Sequence, residues 1–510
     1  MASPDYRPSD AFSQRYTKAK KRRDELESDL RSVMTFCAPG RQNDFVFTET
    51  REDQDVETFT SIGEELATDL ASDLVSYYTP SEARWAEYLV TAPVPRNQAK
   101  AVKQLVQERE DTLWALIEGS NYNDVALPMM TEAALHGTPA LWVDSAHTMM
   151  PVHCEVVPPH ELLVVPGHLG YLDRFREVRV GANTLPALLN VREQDFPMEI
   201  QTLIRNKTMP VVTVCWGFWI EWEDPGNPVW KREITVQGKC IGEKGEVLGP
   251  LAGSCPLLVG RFNPQPGKAW GRGAGLKALP DLRTLDKIDE VCLTNLDQAL
   301  EPSIIYPGDG VLDLSEGLQA GRAYPAARGF TANQVWQAPS GVTLDLGWYE
   351  QDKIEARLRS CFYQDGPRQR GDTPPSASQW LDERRRVQQR LGKPSSGLWT
   401  ELIYPLIQRI ETLGVQVGRL EDAITHEGQS IAVTPLSPLQ KAQNQDKVMT
   451  ARSNLDLGMQ TFGPEALPTI VDARSTFQNI VTASGDELTV IAEDAPDGPQ
   501  TPPGPAGPAA

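Results

Sequence analysis

Apolar side chains recur at helical spacing through most of the first quarter of the chain. Over residues 60–78, Ile62, Leu66, Leu70 and Leu74 return every fourth position, and Ser61 with Glu64 has the form of a capping box, which predicts an amphipathic helix. A charged helical pattern runs from residue 11 to about 33, and further helices are predicted over 98–117 and 123–136, the last stopped by Gly137. Between residues 140 and 262 the period shortens. Runs such as VVTVCWGFWIEW and VWKREITV, joined through Pro225, Gly226 and Asn227, with further turns at 243–245 and 249–250, predict hairpins of a small antiparallel sheet or barrel.

Past a Gly/Pro-rich stretch at 263–275, a long helix is predicted over 279–300, with Leu282, Leu285, Ile288, Cys292 and Leu296 on one stripe and Pro280 in its first turn. Residues 301–341 hold no sustained period, and a second helix follows with Ile354, Leu358, Cys361 and Phe362 on one face. The segment DGPRQRGDTPP at 365–375 breaks both neighbours. Ser376 and Gln379 form another capping box for a helix running to Leu391, and a helix over 399–413 is expected to be interrupted by Pro405 and ended by Gly414. Residues 437–460 and 464–481 suggest a small helical unit, and the last fifteen residues, with six prolines and three glycines, are expected to be extended and disordered. There is no internal repeat, and the fold class is α+β.

Composition narrows the function. With 40% hydrophobic and 23% charged residues the chain is an ordinary globular protein. Its 49 Lys+Arg against 69 Asp+Glu give a net charge of -20, which opposes tight attachment to phosphate backbones and fits a plain soluble protein as well as a conduit that lets DNA slide past. Seven scattered cysteines without a CxxC pair argue against a zinc knuckle or a disulfide framework and suggest folding in a reducing cytoplasm. The N-terminus lacks an apolar core and the longest apolar run, 209–220, is broken by Thr213 and Gly217, so neither an export signal nor a membrane anchor is expected.

Candidate chemistry is thin. Gly271, Gly273 and Gly275 precede a helix, where a phosphate could sit, but the GK[ST] ending of a P-loop and the spacing of a dinucleotide fingerprint are missing, so a tight strand-to-helix turn is the preferred reading. His136, His147, His153, His160 and His168 crowd one region with Asp144, Glu155, Glu161 and Asp173, yet their spacing matches no metal motif, and ordinary sheet and loop histidines are preferred. The basic run at 18–23 is followed at once by Asp24, Glu25, Glu27 and Asp29 and reads as a solvated helix face. No cofactor, metal or catalytic constellation is expected.

Several motifs in order carry a family resemblance. The segment VGRFNPQPGKAWGRGAGLKALPDLRTLDKIDEVCLTNLDQALEPSII from Val259 closely resembles the stretch of podovirus (short-tailed phage) portal proteins in which YGRG, ALPD and TLN lead into a long helix; the matching residues are Trp270, Gly271, Arg272 and Gly273, then Ala278, Leu279, Pro280 and Asp281, then Glu301 and Pro302. PPSASQWLDERRRVQQRLGKPSSGLWTELIYPLIQRIETLG is similar to a downstream block of the same family, with Ser376 and Ser378 in place of threonines. SPLQKAQN at 437–444 is similar to the family's SPLArAQ, departing at Gln440, and residues 65–85, ELATDLASDLVSYYTPSEARW, resemble its N-terminal helix. The resemblance covers roughly residues 10–485.

What it implies is a non-enzymatic head-to-tail connector: a portal-type subunit with a mixed α/β wing, long stem helices, a small clip insert and a helical crown, twelve copies of which form a ring at one capsid vertex. The wing would span 1–275 and 376–425, the stem helices 276–300 and 342–364, the clip 301–341, the tunnel loop 365–375, the crown 426–495, and a Pro-rich tail 496–510. Arg368 and Arg370 would face the DNA, and Leu312, Asp313 and Leu314 would serve the docking clip. The implied partners are further copies of the chain, the major capsid and scaffold proteins, the terminase large subunit, tail adaptor and nozzle proteins, and double-stranded DNA in transit, without a membrane. The virion would be its location after synthesis in the host bacterial cytoplasm. Alternatives are another virion structural protein, such as an adaptor or internal core protein, and an intracellular hydrolase.

Overall fold

The computed structural model describes residues 6–41, 44, 58–90, 99–145, 150–206, 208–224, 226–301, 304–307, 321–326, 344–365, 386, 390–421, 425–426, 429–430, 433–435, 438–462, 471, 476–477 and 480–481. They fall into two units, one of residues 1–86 and 94–431 and one of 87–93 and 432–510.

The first unit opens with α1 (Asp10–Cys37), capped by the Ser9 hydroxyl, which accepts the Phe12 N–H at 3.1 Å. In α2 (Ile62–Tyr78) the predicted stripe of Leu66, Leu70 and Leu74 is fully buried. The capping box there does not form: Ser61 is already in the helical region, and its carbonyl, not its side chain, takes the first N–H groups. β1 (Tyr88–Val90) belongs to the second unit. The first unit resumes with α3 (Ala99–Glu118) and α4 (Tyr122–Leu135), and Gly137 at φ 83 ends the latter as predicted.

Next come β2 (Ala140–Asp144), β3 (His153–Val156), β4 (Leu162–Pro166), β5 (Leu172–Gly181), α5 (Leu185–Leu189), α6 (Met198–Ile204), β6 (Val211–Glu221), β7 (Val229–Val236), β8 (Lys239–Pro250) and β9 (Leu257–Val259). They make two antiparallel sheets, ordered β4-β5-β6-β7-β8 and β3-β2-β9. The five-stranded sheet keeps two edges, so it is open rather than a barrel. Its central strand explains the long apolar run. Val212, Val214, Trp216 and Phe218 face the core shared with the smaller sheet, where Trp142 stacks edge-on against Trp216 and Phe218, while Cys215 and Trp219 on the other face meet Phe12 and Ala19 of α1.

Two turns differ from expectation. The β7–β8 hairpin closes at Gln237 and Gly238, both left-handed (φ 49 and 72), whereas 243–245 is a bulge inside β8 between the pairs Ile234↔Ile241 and Arg232↔Glu246. Gly249 and Pro250 still pair with β7, and the chain turns only after them. The basic run is likewise not simply solvated. Arg23 is buried and donates to the His160 carbonyl at 2.9 Å, and Lys20 pairs with Glu177 at 3.3 Å.

The remainder of this unit holds α7 (Ala274–Leu300), β10 (Ile304–Pro307), β11 (Ala323–Ala326), α8 (Leu344–Cys361), α9 (Tyr404–Gln416), β12 (Thr425–His426) and β13 (Gln429–Ser430). α7 starts earlier than predicted, which puts Pro280 inside it rather than in the first turn. Residues 390–398 are helical and run into a π turn at Trp399–Ile403, where the Tyr404 N–H reaches the Trp399 carbonyl. That wide turn admits Pro405, so the proline opens α9 and does not break it. Gly414 lies within α9 as a packing glycine. A Cβ there would stand 2.7 Å from Leu420 and 2.8 Å from Leu116. The capping box at Ser376, residues 464–470 and the Pro-rich tail lie outside the described residues.

In the second unit β1 pairs antiparallel with β14 (Val433–Pro435), Tyr88 opposite Pro435 and Val90 opposite Val433, and α10 (Pro438–Phe462) follows.

Candidate functional site

Two long helices and the loop that roots them form the candidate site. α7 and α8 run antiparallel: Asp281 pairs with Arg357 at 3.2 Å and, two turns on, Asp289 accepts from Gln351 at 3.0 Å. Leu282 and Leu285 of α7 and Ile354 and Leu358 of α8 are buried. Burial pushes the Asp289 carboxyl up, and the neighbouring charges of Asp286 and Glu355 add to it. Further along, the apolar stripe of α7 loses its cover: Ile288 and Cys292 are half-buried, and Leu293, Leu296 and Leu300 stand in solvent.

At the root, glycines let backbone lie on backbone. A Cβ on Gly271 would meet the Gly137 carbonyl oxygen at 2.0 Å, and one on Gly273 or Gly275 would meet the Leu135 oxygen at 2.5 or 2.7 Å. The Gly271 N–H donates to the Thr138 hydroxyl at 2.9 Å, Arg272 N–H to the Phe262 carbonyl at 2.9 Å, and Phe262 N–H to the Gly137 carbonyl at 2.8 Å. The loop is therefore a keyed strand-to-helix turn, with protein groups where a phosphate-cradling loop would offer free N–H groups.

Beneath it lies a buried charge cluster that sequence reasoning missed. His136 Nδ1 accepts the Thr138 N–H at 3.2 Å, so Nε2 carries the proton given to the Glu132 carboxylate at 2.7 Å. Arg41 Nη2 also donates to Glu132, at 2.5 Å. Burial raises the Glu132 pKa, but the hydrogen bonds from His136 and Arg41 and the Arg41 charge outweigh it and leave the carboxyl below its ordinary value. Only the i, i+4 spacing of Glu132 and His136 was available in the sequence to suggest it. His153 lies in β3, His160 ahead of β4 and His168 between β4 and β5, while His147 is outside the described residues. Among the described residues no three His, Cys, Asp or Glu side chains converge in a way that could hold a metal ion.

Residues 9–491 match the family described as bacteriophage head to tail connecting protein. The chain belongs to that family. This connector is a structural component of a phage-like particle. Two solved structures resemble it: a chain from the virion of a native gene transfer agent particle, at 13% identity over 79% of this chain and 86% of that one with a TM-score of 0.32, and one from the neck of an empty gene transfer agent particle, at 13% over 76% and 86% with a TM-score of 0.30. The likeness is too loose to carry an argument. No curated protein matches.

In the connector, Leu312, Asp313, Leu314, Arg368 and Arg370 lie outside the described residues. Their bases are described. β10 and β11 pair in parallel, Ile304 opposite Ala323, and the Gly321 N–H closes onto the Glu301 carbonyl at 2.7 Å. Before the second loop, Asp365 is engaged by Arg390, whose guanidinium also lies over the Tyr363 ring, and Gln364 donates to Asp73 at 2.8 Å.

No described helix is long and apolar enough to cross a membrane.

Proposed function

We propose that this connector is a portal subunit of the podovirus type, twelve copies of which form a ring at one capsid vertex through which DNA is packaged and ejected. The observation that carries this is the family match over residues 9–491, and the resemblance of the sequence motifs, in order, to those of portal proteins supports it. The exposed leucines on the outer half of α7 favour it too, because a helix with an apolar stripe in water gains by packing against a neighbour. In this reading α7 and α8 are the stem and residues 301–341 the clip that meets the terminase large subunit and later the tail adaptor and nozzle proteins. Residues 365–375 are the tunnel loop carrying Arg368 and Arg370. The wing and crown contact the major capsid protein, the scaffold and further copies of the chain.

Negative-stain images of the purified full chain test the proposal. Rings with a central hole are expected, and a compact monomer or an open filament at every concentration would favour an adaptor or internal core protein instead. A hydrolase using the Gly271 loop is disfavoured because that loop is filled by Gly137, Thr138 and Phe262.

A further inference from the structure

The five-stranded sheet carries an unpartnered apolar patch at each of its two ends. At one end, the turn between β4 and β5 holds Leu169 at φ 53, ψ 28, a region that residues with side chains avoid, and leaves it 70% exposed. The turn is fixed: Gly167 N–H donates to the Tyr171 carbonyl at 2.7 Å, and Tyr171 N–H to the His168 carbonyl at 3.2 Å. His168 and Tyr171 flank Trp222, at ring separations of 5.2 and 5.9 Å, so Leu169 projects from an aromatic collar. Glu223 and Asp224 beside the collar are exposed and meet no cation among the described ion pairs. The strained turn holds the leucine out in water, where it is free to meet a second surface.

At the other end, roughly 30 Å away along the ten residues of β5, Met198, Met209 and Val211 are 79%, 59% and 61% exposed. Met209 is also left-handed, at φ 47. The connections are local, since the Ala182 N–H at the end of β5 donates to the Pro210 carbonyl at 2.9 Å and Lys239 at the start of β8 pairs with Glu199 next to Met198. Methionine adapts its shape to an incoming side chain. Arg192, six residues before Met198 in a turn shared with the exposed Asp195, is itself exposed and meets no carboxylate among the described ion pairs.

A closed ring requires two different patches on one chain that fit each other, since each subunit presents one face to the neighbour on its left and another to the neighbour on its right. We propose that the Leu169 knob of one subunit docks into the Met198, Met209 and Val211 patch of a second copy, with Glu223 facing Arg192 across the joint. This rests on the ring proposed above and adds which surfaces close it. The acidic rim on one patch and the arginine on the other give the contact its direction.

The test uses the full-length chain and measures, by mass photometry, the concentration at which half the subunits are in rings. Leu169→Asp should raise that concentration at least tenfold. Leu169→Gly should raise it too while keeping or raising the melting temperature of the subunit, because glycine accepts the left-handed backbone. Glu223→Arg and Arg192→Glu should each weaken ring formation, and the double variant should restore it. Wild-type chain that forms no rings overturns the portal proposal itself. Wild-type rings with unaffected Leu169→Asp rings overturn the docking assignment alone. Leu169→Asp rings that form normally but fail to enter particles would hand the knob to a different particle protein and overturn the second-copy assignment.

Discussion

Ser9 gives both its backbone N–H (2.8 Å) and its hydroxyl (2.6 Å) to the Glu233 carboxylate, which is buried in the middle of β7. One residue therefore caps α1 and staples it across the sheet, where Phe12 fills the gap left by Gly217. Ser9→Ala should cost about 1–3 kcal/mol, since it removes a helix cap and unmakes a hydrogen bond to a buried carboxylate. Urea unfolding of the purified chain, with the Glu233→Gln single and the double variant alongside, should show less than additive losses.

Gly271→Ala should be among the most damaging single-methyl additions, at about 3 kcal/mol or more, because its Cβ would meet backbone oxygen at 2.0 Å and 2.6 Å and no rotamer relieves that. Gly267→Ala is the control. Gly267 has a positive φ of 75, but a Cβ there meets nothing within 4 Å, so its cost should be about 1 kcal/mol in the same thermal melts.

Glu132 predicts an acid limb to stability. Its folded pKa lies below the ordinary value of 4.5, so its carboxylate stabilises the fold above that pH and the contribution is lost as pH falls through the folded pKa. Glu132→Gln should destabilise the chain by about 1–3 kcal/mol at neutral pH and flatten the stability profile below about pH 5. If the Glu132→Gln variant is still as acid-sensitive as wild type, the acid limb belongs to another group.

Replacing Arg368 and Arg370 by serine should leave rings intact and reduce DNA retention or packaged length. The salt dependence of DNA retention should weaken, by roughly one unit of log–log slope for each phosphate that is no longer neutralised. Asp365, which precedes Arg368 by three residues, is already engaged by Arg390, which leaves that carboxylate less available as an ion-pair partner for the loop arginines.

Polar replacement of Leu312, Asp313 and Leu314 should impair motor or tail attachment more than ring formation, since a turn-rich insert between two helices suits docking more than assembly. Co-sedimentation with the terminase large subunit, set beside ring images of the same variant, checks the order of effects.

Periodic burial was legible in the sequence and local exceptions were not. The stripe Leu66, Leu70, Leu74 and the stop at Gly137 follow from spacing alone, and both are where expected. Ser61 has the residue type of a cap without its backbone geometry, and Gln237 turns a hairpin that composition assigned to Gly245. Pro405 reads as a breaker until a π turn precedes it. The cap of α1 by Ser9 is local, but its staple to Glu233 joins residues distant in sequence, and the Arg41 contact with Glu132 does the same, so no window of the chain contains either. At the candidate site, the Gly271 turn and the two long helices follow from residue type and period, whereas the fading cover of α7 beyond Leu285 depends on packing that spacing cannot report.

The pairing of β1 with β14 sets an order of synthesis. Residues 88–90 leave the ribosome well before their partner strand, 433–435, so the second unit cannot close until all the chain between them has been made. The five- and three-stranded sheets of the first unit can assemble in the meantime, because their strands are contributed by residues 140–259. Throughout that interval the edge of β1 waits unpaired, open to the same strand on another nascent chain. A chain cut short before residue 433 would leave β1 without its partner, and such a truncation is expected to favour aggregation over assembly.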